Sequence, residues 1–395
     1  FVPARLEVTR HIRPKWGCPV CEECIRIAPM PPQPIPKSMA SPGLLAHIAV
    51  SKYCDALPLY RQSTILERAQ IDLSRTTLAN WMIKIGELVQ PVVNLLRDEL
   101  LSYDIAHSDE TRCQVLKEPG KAAQSQSYLW AQRGGPPERP VVLFDYDPSR
   151  SNEVPKKLFE GFEGYLQTDG YSGYDAVCAD PKIKRVGCMA HVRRRFDEAI
   201  KAQAGAKKST KSGTKAHQGF AFVSKLYRIE KDIRGQDAAS REAGRQARAK
   251  PILAEMKAWL DENKEKVPPK SLTGQAIVYT LGQWTSLERY IEDGRLEIDN
   301  NKVENTIRPF VIGRKNWLFS DTVKGAEASA NLYSILETAK ANDLEPYEYL
   351  CALLTDLPRA TTVEEIERLL PTRWKPKPTD RVVAPVLPEI ATAQV

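Results

Sequence analysis

The chain has 395 residues, 42% of them hydrophobic and 27% charged, which is ordinary for a globular protein with two or three domains and a buried core. It has no apolar run near the ~20 residues of a membrane-spanning helix, and no signal peptide opens it, so the sequence predicts a cytoplasmic protein without membrane contact. The net charge is only +7, so charge matters mainly where it clusters.

The eight cysteines fall into two groups. Cys18-Pro-Val-Cys21 has the spacing of half a zinc ribbon, but tetrahedral Zn²⁺ needs four N or S ligands, and only Cys24 and His11 lie nearby. We therefore expect an incomplete Zn²⁺ site over residues 1–27, with free thiols on a turn as the alternative, in a chain truncated at its N-terminus. The remaining cysteines lie in apolar stretches and are predicted to be small core residues: Cys54, Cys113, Cys178, Cys188 and Cys351.

A proline-rich stretch, residues 28–43, predicts a semi-rigid linker, and residues 44–100 then follow a helical period. Pro58 is placed to open a second helix and Ser74 to cap a third. Three short helices, the last two tightly joined, are typical of a helix-turn-helix, in which the start of the final helix reads the major groove of DNA. The groove-reading candidates are Arg75, Thr76 and Asn80. The alternative is a plain helical bundle.

After a helix over residues 90–101, the chain is rich in β-forming residues and predicts a mixed sheet. Four short strands separated by turn signals are typical of antiparallel pairing; they are predicted around Tyr103–Ser108, Arg112–Leu116, Tyr128–Arg133 and Val141–Tyr146. Two later strands, each preceded by a helix, indicate parallel additions, at Tyr165–Thr168 and Lys184–Met189. Asp109 and Asp169 each fall just past a predicted strand, where open α/β sheets place ligand groups. A helix cap or a turn is the alternative for either aspartate alone.

The segment Cys188-Met-Ala-His191 begins a helical region, and residues 192–298 are predicted to be an all-α insertion. His191 would position a phosphate or move a proton, or else be structural. The region opens with a basic run, in which Arg193 and Arg194 are candidates for DNA contact. A flexible, solvated loop is the alternative for this run.

The stretch from Leu296 to Phe319 combines acidic, basic and aromatic side chains. Asp299 or Asn300 is expected to cap a short helix that carries Glu304 and Arg308 one turn apart until Pro309 ends it. An ordinary surface helix with an internal ion pair is the alternative. The candidates for phosphate contact here are Arg308, Arg314 and Lys315. Helices are predicted over residues 346–375, followed by a disordered tail over residues 376–395.

Several segments recur in the order of a known family: PPQPIPKSMASPGLLAHIAVSKYCDALPLYRQS, HSDET, LQTDGYSGY, CMAHVRRRF and IDNNKVENTIRPFVIGRKNWLF. They closely resemble the insertion-sequence 66 family of bacterial Asp-Asp-Glu transposases, from near Arg10 to about Leu354. The resemblance implies a ribonuclease H-like α/β fold over residues 101–345, with the helical insertion inside it and the helix-turn-helix bundle before it. It also implies a further Cys pair upstream, and an acidic triad of Asp109, Asp169 and Glu304.

The resemblance implies two-metal phosphodiester chemistry with Mg²⁺, or Mn²⁺, since these ions prefer hard oxygen ligands. Asp109 would bridge both ions, and Asp169 and Glu304 would each hold one. The expected reaction is hydrolysis at transposon ends followed by strand transfer into target DNA. The expected partners are DNA, further copies of the chain assembled on DNA, and accessory proteins of the same element.

Other side chains near the triad have two interpretations each. Trp317 would stack on a displaced base or pack in the core. Asn300 and Asn301 would orient metal-bound water, although capping is the preferred interpretation. Two rival functions remain open: a DNA-binding regulator or remnant that performs no chemistry, and a ribonuclease H-like nuclease that only hydrolyses.

Overall fold

The computed structural model describes residues 7–17, 19–20, 25–206 and 213–376. Cys18, Cys21 and Cys24 lie outside the described residues, as does the chain from residue 377 onward, and so do the predictions made for them. Near the start, two short strands pair antiparallel: β1 (Lys15–Trp16) and β2 (Arg26–Ile27).

Four helices precede the sheet: α1 (Pro42–Tyr53), α2 (Leu59–Arg68), α3 (Arg75–Leu88) and α4 (Gln90–Leu101). The predicted helix start at Ser74 is confirmed, because its hydroxyl accepts the Thr77 N–H at 3.1 Å. The second half of α3 packs closely on a later helix, since a Cβ at Gly86 would lie 2.5 Å from that of Ala328. The start of α3 is open to solvent, as are Lys84 and Glu87 farther along the helix.

Within the described part of the chain, six strands form one mixed sheet. The strands β5, β4 and β3 pair antiparallel, and β3, β6 and β7 pair parallel, as predicted. A short strand, β8, pairs parallel with the far end of β3. The bounds are β3 (Ile105–Lys117), β4 (Gln126–Gly134), β5 (Val141–Asp147), β6 (Gly164–Gln167), β7 (Ile183–Val186) and β8 (Ser320–Thr322).

Two predicted details of the sheet are wrong. The two strands expected on either side of Asp109 are one strand, β3, because β4 pairs with it continuously from Ala106 to Gln114. The helix α5 (Glu153–Leu158) precedes β6 as expected, but only short 3-10 turns, Ser172–Tyr174 and Val177–Ala179, precede β7. Two glycines and a proline in this segment disfavour a longer helix.

The chain then becomes helical, with α6 (Met189–Ala206), α7 (Lys215–Ile233), α8 (Ala238–Gly244), a π turn at Arg245–Ala249, α9 (Lys250–Lys264), α10 (Leu272–Gly282) and α11 (Trp284–Glu288). These helices surround an apolar core of their own, which includes Phe196, Leu226, Met256 and Ile277. A larger core joins α1–α4, the sheet and the last helices, so these three parts pack as one body.

The last helices are α12 (Asn301–Trp317), α13 (Val323–Ala341), α14 (Pro346–Asp356) and α15 (Val363–Glu367). The helix α13 covers the edge strand β5, where the Ser334 hydroxyl accepts the Phe144 N–H at 2.8 Å. This contact blocks the strand edge from pairing with another chain. None of the described helices is long and apolar enough to cross a membrane.

The prediction that Pro309 ends its helix is wrong, because α12 continues through Pro309 to Trp317. A proline inside a helix removes one hydrogen bond and crowds the preceding turn. Val303, Ile307 and Phe310 are buried along one side of α12, and this packing outweighs the local cost.

Candidate active site

Asp109 and Asp169 occupy equivalent positions on two neighbouring parallel strands. His107 of β3 is paired with Gln167 of β6, and each aspartate follows two residues later. The β3–β6 pairing ends at this point, although β3 itself continues along β4. Asp109 therefore lies inside a strand rather than past its end, but still at the end of the parallel ladder, where the two side chains meet.

The three predicted carboxylates act on one another electrostatically. Burial, together with the charges of Glu110, Asp169 and Glu304, raises the pKa of Asp109 to about 8. Glu304, from a distant part of the chain, thus lies close enough to disfavour the ionised form of Asp109. The structure brings all three side chains into one acidic cluster.

Glu110 follows Asp109 in the chain, and its carboxylate is hydrogen-bonded to other side chains. Its carboxylate accepts hydrogen bonds from Arg150 Nε at 2.8 Å and from the Tyr174 hydroxyl at 2.9 Å. Because neighbouring residues of a strand point to opposite faces, this network lies on the other face from the Asp109 side chain. Asp109 has no such ion pair among the described residues, and its Oδ1 accepts the Glu110 N–H at 2.9 Å.

Asn300 fastens the start of α12 to β3. Its buried side chain donates from Nδ2 to the Ser108 carbonyl at 2.9 Å, and its Oδ1 lies 3.2 Å from His107 Nδ1. The predicted cap is thus wrong for Asn300, because its side chain makes no capping bond. Asp299 takes part of that role, since its Oδ1 accepts the Asn301 N–H at 3.1 Å. Asn301 is itself exposed.

Glu304 lies one turn into α12, where its N–H bonds to the Asn300 carbonyl at 3.2 Å. Its Oε1 is buried and has no hydrogen-bond partner among the described residues. The ion pair with Arg308, which was the alternative interpretation of this helix, is not formed in the described part of the chain, and Arg308 is exposed. A buried carboxylate oxygen without a partner is unusual unless the site binds a ligand.

Cys188 and His191 also reach Glu304. A ligand atom from each of these three side chains lies within 4.8 Å of the other two. Among the described residues, Asp109, Asp169 and Glu304 do not form a group as close as this. Burial raises the pKa of the Cys188 thiol to about 12. Burial and the Arg194 charge lower the pKa of His191, whose Nδ1 is buried and has no hydrogen-bond partner in the described part of the chain. Cys188 is buried as predicted, but the sequence analysis did not connect it to this site.

The helical region supplies one wall of the acidic cluster. A Cβ at Gly170, the residue after Asp169, would lie 2.6 Å from the Tyr279 hydroxyl oxygen of α10. The Arg195 guanidinium lies over the Tyr279 ring, 4.0 Å from its centre. The charge of Asp169 contributes, after burial, to raising the pKa of Tyr279 to about 12. No motif in the sequence pointed to Tyr279.

With this geometry in view, comparisons with known proteins identify the family. The model of the transposase IS66 family matches residues 37–328, and that of the IS66 C-terminal element matches residues 334–372. The chain belongs to the IS66 transposase family. It is also similar to two uncharacterized proteins of Sinorhizobium fredii (strain NBRC 101917 / NGR234). It is 34% identical to y4jD over 95% of this chain and 74% of that protein, and 34% identical to y4qI over 95% of this chain and 70% of that protein.

The candidate DNA-contacting residues of this IS66-family chain lie in two regions, the start of α3 and the surroundings of the acidic cluster. At the start of α3, Arg75, Thr76 and Asn80 are all exposed. Around the acidic cluster, Arg194 Nη2 lies 3.2 Å from His191 Nε2, and Arg193 lies over the rings of Phe220 and Tyr227. On α12, Arg308 and Lys315 are exposed, and Arg314 is half-buried near Thr111.

Trp317, at the end of α12, is half-buried. The Lys52 ammonium lies over its ring, 3.9 Å from the centre, and burial lowers the pKa of Lys52 to about 8. This face of the indole is occupied by a contact within the protein. Of the two interpretations of Trp317, packing is the one this contact supports.

Proposed function

We propose that this chain is a DNA transposase that cleaves strands at the ends of its element and joins the freed 3′ hydroxyl to target DNA. Asp109, Asp169 and Glu304 are the proposed catalytic residues. The observation that carries the proposal is the position of Asp109 and Asp169, each two residues beyond the paired His107 and Gln167, with the helix of Glu304 tied to β3 by Asn300, in a chain of the IS66 transposase family.

The residues of the cluster fit a pair of divalent cations. Mutual repulsion of half-buried carboxylates, as at Asp109, is what a bound dication relieves. The unpartnered Oε1 of Glu304 offers a further hard ligand. Mg²⁺ and Mn²⁺ are the ions that such an oxygen donor set prefers.

In the proposed mechanism, Asp109, Asp169 and Glu304 would together hold the divalent cations. Bound Mg²⁺ would neutralise charge on the scissile phosphate and lower the pKa of the attacking hydroxyl or water. Asn300 is a positioning residue, because it ties the helix of Glu304 to the strand of Asp109. This link fixes the separation of the carboxylates before DNA binds.

The proposed fold of the catalytic part, residues 101–345, is ribonuclease H-like. The support for it is the mixed sheet, with three antiparallel strands followed by two parallel ones, and the carboxylates at the end of the parallel ladder. The helical region between Asp169 and Glu304 is proposed to be an insertion at residues 192–298. It contributes Tyr279, Arg194 and Arg195 to the border of the cluster.

Two surfaces are proposed to bind DNA. The exposed start of α3 would read the major groove as part of a helix-turn-helix. Near the cluster, Arg308, Arg314 and Lys315 follow Glu304 along α12 and would contact the phosphates of the strand being cut, together with Arg193 and Arg194. This proposal places three of the five phosphate contacts on the same helix as one catalytic carboxylate.

The experiment that tests the function is a joining assay with the full chain, oligonucleotides that contain the element's ends, and a target plasmid in Mg²⁺. Wild type is expected to insert the oligonucleotide into the plasmid, and the Asp169→Ala variant is not. Cleavage without joining would favour a nuclease that only hydrolyses. DNA binding without either reaction would favour a regulator.

A further inference from the structure

A cluster of sulfur, nitrogen and oxygen ligand atoms borders the acidic cluster. It consists of Cys188 Sγ, a ring nitrogen of His191 and a carboxylate oxygen of Glu304, all within 4.8 Å of one another. We propose that these three side chains form a second cation site, selective for a thiophilic dication such as Zn²⁺ or Co²⁺. A thiolate and an imidazole favour such ions, whereas Mg²⁺ prefers oxygen alone.

Two observations independent of this spacing point to a ligand. His191 Nδ1 and Glu304 Oε1 are both buried, and neither has a hydrogen-bond partner among the described residues. Buried polar atoms are normally paired, so two unpaired atoms in one small cluster call for an explanation. A cation between them would satisfy both.

The backbone holds the three ligands in place from two sides. The Asn300 N–H donates to Cys188 Sγ at 3.3 Å, and the Met189 N–H donates to the Ile298 carbonyl at 3.0 Å. These bonds fasten the start of α6, which carries His191 and directly follows Cys188, to the start of α12, which carries Glu304. The site therefore joins two elements that are distant in sequence.

Binding requires loss of the Cys188 proton, transfer of the His191 ring proton from Nδ1 to Nε2, and small side-chain movements. The S–H bond of Cys188 breaks as the sulfur–metal bond forms, and the proton leaves to solvent. Ligand atoms around tetrahedral zinc lie roughly 3.3–3.6 Å apart. Side-chain rotations that move the ligand atoms of His191 and Glu304 by about an ångström therefore bring them to these distances. Arg194, which lies at His191 Nε2, is exposed and free to move away. The fourth position stays open to water.

Occupation of this site would inhibit catalysis, and this consequence rests on the proposed function. The Glu304 carboxylate cannot hold a thiophilic ion beside Cys188 and also serve Mg²⁺ beside Asp109 and Asp169 without a change in its ligand role. Zn²⁺ would therefore inhibit strand joining in Mg²⁺. The site would make strand joining subject to inhibition by thiophilic metal ions.

The test is a Co²⁺ titration of the full chain followed by electronic absorption. Cys18, Cys21 and Cys24 are first replaced by Ser, because they are alternative thiol ligands. We expect a thiolate-to-cobalt charge-transfer band that saturates at about one equivalent of Co²⁺ per chain, together with tetrahedral d–d bands. Cys188→Ser should remove the charge-transfer band, and the matched control Cys178→Ser should retain it. A missing band, or one that survives Cys188→Ser, would overturn the proposal.

Two further variants keep the test decisive. If circular dichroism shows that Cys188→Ser is unfolded, His191→Ala decides: its Co²⁺ affinity should fall at least about tenfold, and an unchanged affinity overturns the site. Asp169→Asn should keep the Co²⁺ spectrum while losing strand joining. A wild type that binds Co²⁺ in this way but never joins DNA would contradict the proposed function and leave the cation site standing.

Discussion

Asn300 and Ser108 are joined by a buried hydrogen bond of 2.9 Å, from the side-chain amide of one to the backbone carbonyl of the other. Through this bond the helix that carries Glu304 is fastened one residue away from Asp109. The geometry of the acidic cluster thus depends on a residue that carries no charge.

Replacing Asn300 by Ala should loosen this connection. The change leaves the Ser108 carbonyl and His107 Nδ1 buried without their partner, at a cost of about 1–3 kcal/mol in the free energy of unfolding. We expect strand joining to fall more than stability alone explains, because Glu304 loses its fixed position. Urea denaturation and the joining assay measure the two effects.

The control for that variant is Asn301→Ala, at the exposed neighbouring position. A surface substitution of this kind should change stability by no more than about 0.5 kcal/mol. If both variants behave alike, Asn300 is not a positioning residue.

Titration of Asp109 should lower the stability of the metal-free protein as pH rises through the neutral range. The pKa of Asp109 is raised from 3.8 to about 8 in the folded chain. Between these values the folded state binds more protons at this site than the unfolded state does, so the free energy of unfolding decreases with increasing pH. Thermal melts in chelator, from pH 5 to pH 8, measure this trend.

Asp109→Asn removes this titration and provides the comparison. The variant should melt at a higher temperature than wild type at pH 8 in chelator, and should respond less to added Mg²⁺. A wild type whose melting temperature rises steadily from pH 5 to pH 8 without metal, with the variant following it, would argue against a repelled carboxylate at this position.

Arg75→Ala should weaken binding to the element's end DNA more than binding to random duplex. The side chain is exposed at the start of α3, and a lost base contact costs about 1–3 kcal/mol. Fluorescence anisotropy at fixed salt measures both affinities. The control is Arg68→Ala, an exposed arginine at the end of α2. Equal losses on both DNAs would mean that Arg75 contacts phosphate and does not read sequence.

Alternation and helical period predicted the sheet, the helical region and the helix starts well. They placed Asp109 and Asp169 near the end of the parallel ladder because both signals are local. They failed at Pro309, where burial of Val303, Ile307 and Phe310 outweighs a local helix breaker. Tertiary packing of this kind has no signature in a short window of sequence.

The missed parts of the candidate site depend on contacts between distant segments. Asn300 has the sequence signature of a cap, and only the approach of β3 gives its side chain another partner. Cys188 was predicted to be a core residue, since burial alone does not separate a packed thiol from one beside Glu304. The Cys-x-x-His spacing of residues 188 and 191 was the available clue, and two ligands at one helix start do not identify the third.

The most direct test of the central claim is strand joining by Glu304→Gln in Mg²⁺, with Glu327→Gln as the control on an exposed part of α13. The substitution keeps the size of the side chain and removes the charge that a divalent cation requires. We predict that Glu304→Gln binds end DNA nearly as tightly as wild type but loses joining by at least about a thousandfold, a loss on the scale of removing one electrostatic stabiliser of a transition state, while Glu327→Gln joins normally. Joining by Glu304→Gln at a rate close to wild type would contradict the account.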